Sequence, residues 1–167
     1  MKFKLLNFFL FQLGWFALIL GAAWNKTYLA LLIGLIIIGF HLSIISNKLN
    51  ELKLILAAGL IGFVFDGFLQ YFQFIIYNSA VWAFPLTPIW IVMLWMIFAI
   101  TINHSLVWLK NRKTLTIFFG AIGGPLAYLA GEKLGAITIV DPLSIVLLSL
   151  GWATITPLLI LISKKYV

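Results

Sequence analysis

The sequence predicts an all-α, polytopic integral membrane protein, one transmembrane domain over residues 1–167, with six transmembrane helices and both termini cytoplasmic. Three observations lead there. Of the 167 residues, 64% are hydrophobic and only 9% charged, against ~25% charged in a soluble domain. Six stretches of the ~20 mainly apolar residues that cross a bilayer follow one another with short polar breaks. Finally, the eleven Lys and Arg divide unevenly between the two sides that six crossings define. No polar linker or low-complexity segment splits the chain, so one membrane domain is expected.

The expected spans are 5–24, 27–46, 52–76, 88–109, 115–134 and 142–163. Lys2 and Lys4, an apolar run and Gly21-Ala22-Ala23 imitate a secretory signal. The run from Leu5 to Leu20 is long for one and contains Asn7 and Gln12, so it is expected to remain as the first helix. Asn25-Lys26 closes that helix. Asn47-Lys48-Leu49-Asn50-Glu51 is expected as the loop between spans two and three. Residues 77–87, uncharged and containing Pro85, form the longest expected loop. Lys110-Asn111-Arg112-Lys113 separates spans four and five. Pro142 opens the sixth, because a first-turn proline has no N–H to leave unbonded.

With a cytoplasmic start, one side collects Lys2, Lys4, Lys48, Lys53, Lys110, Arg112, Lys113, Lys164 and Lys165, and the other only Lys26 and Lys133. Such a bias sets orientation in membranes. It accounts for the net charge of +7 without a nucleic-acid partner, and none is expected. Trp24, Trp82, Trp90 and Trp108 fall near span ends, where amphipathic rings settle at headgroup level.

The third span organises the expected site. Gly59, Gly62, Asp66, Gln70 and Gln73 follow steps that place them on one helical face. A carboxylate in hydrocarbon costs at least ~2.5–3.5 kcal/mol, so Asp66 should face protein or water and have a partner. Gln12, Asn7 or a hydroxyl on a neighbouring helix would serve. His41 and His104 each lie about six residues before a cytoplasmic helix end, ~9 Å inside, whereas Asp66 lies ~20 Å from that side. The histidines are therefore not expected to touch Asp66, but they could flank one cytoplasm-facing pocket. Imidazole there would suit acid–base work or headgroup binding, or simply bond across helices for packing. On the fourth span Thr101, His104, Ser105 and Trp108 share a face, with Asn103 beside it.

In the fifth span, Gly123, Ala127, Gly131 and Gly135 recur every four residues, and Gly120 and Gly124 add a second small ridge. Small residues at that spacing let membrane helices approach closely, and Pro125 removes a helical hydrogen bond. Helix packing is the expected role of these residues and of Gly59 and Gly62. The alternative is that the Gly-Gly-Pro break faces a cavity. A weak echo also runs through the chain. His41, a basic loop and Gly59-x-x-Gly62 are matched by His104, a basic loop and Gly120-x-x-Gly123, a hint that the 2–3 and 4–5 hairpins are parallel repeats.

No cysteine is present, which removes disulfides and thiolate chemistry. The sequence holds no His-Glu-x-x-His, no Gly-x-Ser-x-Gly, no phosphate loop and no dinucleotide fingerprint. Neither a metal nor a cofactor is expected.

Several segments together resemble an uncharacterised bacterial inner-membrane family, known as a domain of unknown function. They are Phe11-Gln12-Leu13-Gly14-Trp15-Phe16, His41, Asp66-Gly67, Pro88-Ile89-Trp90 with Leu94-Trp95, His104-Ser105, and Gly123-Gly124-Pro125-Leu126-Ala127-Tyr128 with Gly131 and Gly135-Ala136. The resemblance covers nearly the whole chain and adds Tyr128 to the candidate residues. It carries no catalytic assignment. Such genes often stand beside relatives of cyclopropane-fatty-acid synthase, which implies a part in envelope lipid chemistry.

The expected function is a small inner-membrane protein that binds or helps process a membrane lipid or other hydrophobic ligand in an intramembrane cavity. Entry is expected between helices three, four and five, with Asp66 and His104 as polar anchors. Membrane lipids and lipid-modifying proteins are the expected partners. The alternatives are a transporter or lipid flippase in which Asp66 titrates, and a non-catalytic membrane assembly factor.

Overall fold

The computed structural model of the chain describes residues 2–78 and 86–165. Trp82 and Pro85 of the expected long loop lie outside the described residues. Among the described residues six α-helices form: α1 (Lys2–Ala23), α2 (Thr27–Ile44), α3 (Lys48–Tyr71), α4 (Ile89–Ile102), α5 (Lys113–Lys133) and α6 (Pro142–Lys165). Five are long and apolar enough to cross a membrane, and α4 is a shorter apolar helix of 14 residues. Helix is the natural state of such runs, because a segment in hydrocarbon must satisfy its own backbone hydrogen bonds.

The bundle is organised around α4 rather than α3. It packs on α1, α2, α3 and α6, and Trp90, Ile97, Ala99 and Ile100 are fully buried. A helix apolar on every face belongs inside. Trp90, expected at headgroup level, instead lies buried beneath the ring of Tyr77, with centroids 6.0 Å apart. The helix ends at Ile102, not at 109. Thr101 O accepts from both His104 N (3.1 Å) and Leu106 N (2.8 Å), and a 3-10 turn follows at Val107–Leu109. Asn7 of α1 seals this end. Its Nδ2 donates to Ile100 O (2.9 Å) and its Oδ1 accepts from Ser105 Oγ (2.8 Å). Asn103, His104 and Ser105 thus leave the helix, because side chains satisfy what helical bonds would have.

The third helix starts at Lys48, four residues before the expected 52, and stops at Tyr71 rather than 76. Glu51, expected in a loop, therefore sits in its first turn. The stop is a left-handed cap: Gln73 has φ +58°, Gln73 N donates to Gln70 O and Phe74 N to Leu69 O. Gln73 is thereby taken off the Asp66 face and exposed. The fifth helix ends the same way, with Gly135 at φ +83° and bonds from Gly135 N to Glu132 O and Ala136 N to Gly131 O. Both have the hydrogen-bond pattern of a Schellman motif, which satisfies terminal carbonyls.

Each cap leads into a three-residue strand, β1 (Ile75–Tyr77) and β2 (Ile137–Ile139), which pair antiparallel with Ile76 opposite Thr138. These strands were not expected, since three residues are too few to show a strand period. Ser144 Oγ donates to Phe74 O (2.7 Å) and Asn78 Nδ2 to Gly135 O (2.9 Å), which ties the ribbon to the helix ends. Asp141 caps α6 through Ser144 N (3.0 Å), with Pro142 in the first turn.

Glycine permits several close approaches. A Cβ on Gly62 would overlap the Trp95 ring, and one on Gly124 would overlap Trp152. Gly120 likewise meets the backbone of α6 at Trp152. The second small ridge of α5 therefore makes the helix contact. On the first ridge a Cβ on Gly123 would meet nothing within 4 Å, whereas one on Gly131 would meet Ile19 of α1 at 3.3 Å.

Candidate functional site

Asp66 lies fully buried in α3. Its Oδ2 accepts from the Trp95 indole N–H of α4 at 2.6 Å. Its Oδ1 accepts from the Tyr128 hydroxyl of α5 at 2.5 Å and from the Tyr77 hydroxyl of β1. All three donors are neutral; the expected hydroxyl of a neighbouring helix is Tyr128, and neither Gln12 nor Asn7 takes part. The strand ribbon explains Tyr77, because the cap at Gln73 folds β1 back across the helix end. Burial, and then the neighbouring Asp66, push the Tyr77 phenol well above its ordinary range, so it stays a donor. Gln70, one turn on, is buried with its Oε1 unpartnered.

Trp95 and Tyr128 also form one wall of a cavity of ≈450 Å³. Its other walls are Phe8, Phe11, Trp15 and Ile19 of α1, Leu94 and Phe98 of α4, Phe119, Gly123 and Ala127 of α5, and Trp152 of α6. α1 packs on α2 and α4, and α5 on α6, so the cavity occupies the gap between α1 and α5 with α4 as its floor. Phe8, Phe16 and Leu126 on its border are exposed on the outside of the bundle. The absence of side chains at Gly123 keeps the gap open. Polar groups are few: Gln12, Thr101, Ser105 and the Tyr128 hydroxyl. Thr101 is occupied with Phe98 O (2.6 Å), and the buried indole N–H of Trp152 lacks an acceptor. Trp152 stacks on Trp95 with centroids 4.3 Å apart. Asp66 is thus separated from the cavity by its own donors, and α3 contributes no wall, contrary to the expected entry between helices three, four and five.

A second polar cluster lies at the other end of α3. Glu51 precedes Asp66 by fifteen residues, ~22 Å along a helix. Its Oε1 stands 3.0 Å from His41 Nε2 of α2 and 3.2 Å from His104 Nε2, in the turn after α4. Its Oε2 accepts from Asn103 Nδ2 at 2.6 Å. The two imidazoles meet edge to face, centroids 4.9 Å apart. His41 and Glu51 are buried, and His104 is partly exposed. A pocket of ≈300 Å³ adjoins the cluster, lined in part by Asn47, Asn50, Lys110 and Ser163. Burial pushes the Lys110 ammonium down, against the opposing pull of Glu51.

The candidates thus separate into three places. Asp66 and Tyr128 join at the strand end, and Gln12, Thr101 and Tyr128 line the large cavity. His41, His104 and Asn103 gather round Glu51. Glu51, Tyr77 and Trp152 were not among the residues the sequence singled out. Glu51 had one signal, being one of four acidic residues in the chain. Tyr77 and Trp152 had none, because their roles depend on the ribbon and on the packing of α6 against α4.

No curated protein and no solved structure matches the chain. One family does: it is described as a protein of unknown function, DUF2878, and it matches residues 4–158, a span that contains the cavity, the Asp66 knot and the Glu51 cluster. The chain is a member of the DUF2878 family.

Proposed function

We propose that this protein is a bacterial inner-membrane protein that holds a lipid acyl chain, or a comparable hydrophobic ligand, in the cavity between α1 and α5. The carrying observation is the cavity itself. At ≈450 Å³ it falls within the ~300–1,000 Å³ of ligand pockets, which are mostly apolar with a few placed polar groups. Its aromatic walls suit a chain or ring, and the exposed apolar residues at its border would let a ligand enter sideways from the bilayer. Gln12 and Ser105 would hold the polar end. In this reading the Asp66 knot fixes the wall of the site, by locking Trp95 and Tyr128, rather than touching the ligand.

The placement includes six crossings with both termini cytoplasmic. The Lys and Arg bias supports it, with α4 crossing as a short helix extended by its flanking segments. A role beside lipid-modifying proteins follows from the family resemblance and belongs to the same reading.

The test is native mass spectrometry of protein extracted in mild detergent, compared with Gly123→Phe. Wild type should retain a lipid or apolar adduct. The Phe side chain should fill the gap and abolish the adduct while the protein keeps its fold. Equal retention by both would overturn the proposal.

A further inference from the structure

We propose that His41, Glu51 and His104 form a three-ligand site for a divalent first-row transition metal, open on its fourth side to the adjoining pocket. These are, among the described residues, the group whose ligand atoms converge, all within 4.8 Å of one another. In a tetrahedral zinc site with bonds of ~2.0–2.2 Å, neighbouring donor atoms stand ~3.3–3.5 Å apart. Glu51 Oε1 is 3.0 Å from one imidazole Nε2 and 3.2 Å from the other. Two of the three edges are therefore nearly at the required length. The third joins the histidines, and His104 lies in an irregular turn, where a small shift closes the site without moving a helix.

Three further features favour a metal over simple packing. Both rings direct Nε2 at one carboxylate oxygen. Asn103 holds the other carboxylate oxygen at 2.6 Å, the kind of orienting contact that ligating carboxylates receive. The fourth side meets a polar pocket with Asn50 and Lys110 on its lining, where a water or an anionic group would complete the coordination. Imidazole and carboxylate without thiolate suit zinc, iron, cobalt or manganese, and three protein ligands plus an open position is the pattern of catalytic zinc. The three ligands come from α2, α3 and the turn after α4, so the metal would also clip these segments together.

The experiment uses full-length protein in detergent, with any affinity tag removed and metals stripped by a chelator. Co²⁺ is titrated while the visible absorption of the tetrahedral ion is followed, and Zn²⁺ is then added in competition. Wild type should bind one Co²⁺, release it to Zn²⁺ and melt at a higher temperature with Zn²⁺ present. His104→Ala should abolish the Co²⁺ spectrum and the Zn²⁺ shift while the metal-free protein melts near wild type, since the His104 side chain is partly exposed. Asn103→Ala should weaken binding ~10–100-fold, as loss of an orienting partner does. Folded wild type that takes up no stoichiometric Co²⁺ would overturn the proposal. Uptake unchanged in His104→Ala would do so too, by placing the ion elsewhere.

Discussion

The Trp95 indole donates to Asp66 Oδ2 at 2.6 Å while its ring stacks on Trp152 at 4.3 Å. One side chain thus joins the buried carboxylate of α3 to the wall of the cavity between α1 and α5. A change at Asp66 should reach the cavity wall through Trp95.

The two natural substitutions at Asp66 should accordingly differ. Asp66→Leu leaves one indole N–H and two phenol O–H groups buried without an acceptor, at ~1–3 kcal/mol each. Asp66→Asn keeps one acceptor for Trp95, and its amide can donate to hydroxyl oxygens that accept as well as donate. Thermal melting in detergent should rank wild type above Asn and Asn well above Leu. Equal melting of the two variants would show that the three hydrogen bonds do not hold the knot.

Glycines one residue apart on α5 should respond in opposite ways. Gly124→Ala must displace Trp152 and should cost ~1–3 kcal/mol, the usual range for overpacking. Gly123→Ala meets open space and gains up to ~1 kcal/mol in helix propensity. Melting curves of the pair decide it, and a destabilised Gly123→Ala would mean that another helix covers that face.

Asn7 ties the first helix to the frayed end of the fourth. Asn7→Leu removes the donor to Ile100 O and the acceptor for Ser105, for a loss of ~1–3 kcal/mol. Hydrogen exchange should rise locally over residues 101–107 and remain unchanged over the strand ribbon. Uniform exchange throughout would argue against a local seal.

Topology is open to direct labelling, because the chain contains no cysteine and single cysteines can be placed at will. Positions near Lys48 and Lys110 should be protected from an impermeant reagent in intact cells, and one at Asn78 should react. Labelling beside Lys110 from outside would reverse the orientation.

The helices, their order and the membrane setting were legible in the sequence, because hydrocarbon demands long apolar runs and charged residues mark where they stop. Counting rises along two helices put His41 and His104 at one pocket, although His104 lies in the turn after α4 rather than in a helix, and Asp66 was recognised as needing a partner. Helix ends were less legible. The stop after Tyr71 rests on a left-handed Gln73, a residue with no strong preference for that conformation, whereas Gly135 advertises its cap. Both helices nevertheless end in the same kind of cap and lead into a short strand.

Sequence alone determined which residues are too polar to face lipid. Only the tertiary structure decided what they face. The partners of Asp66 come from three elements, at separations of 11, 29 and 62 residues, and Glu51 meets histidines 10 and 53 residues away. No local periodicity encodes such pairings. The same holds for α5, where a four-residue repeat of small side chains shows that something comes close but not which ridge. Packing of α6 takes Gly120 and Gly124, and Gly123 is left to a cavity because α1 leans on α4 instead.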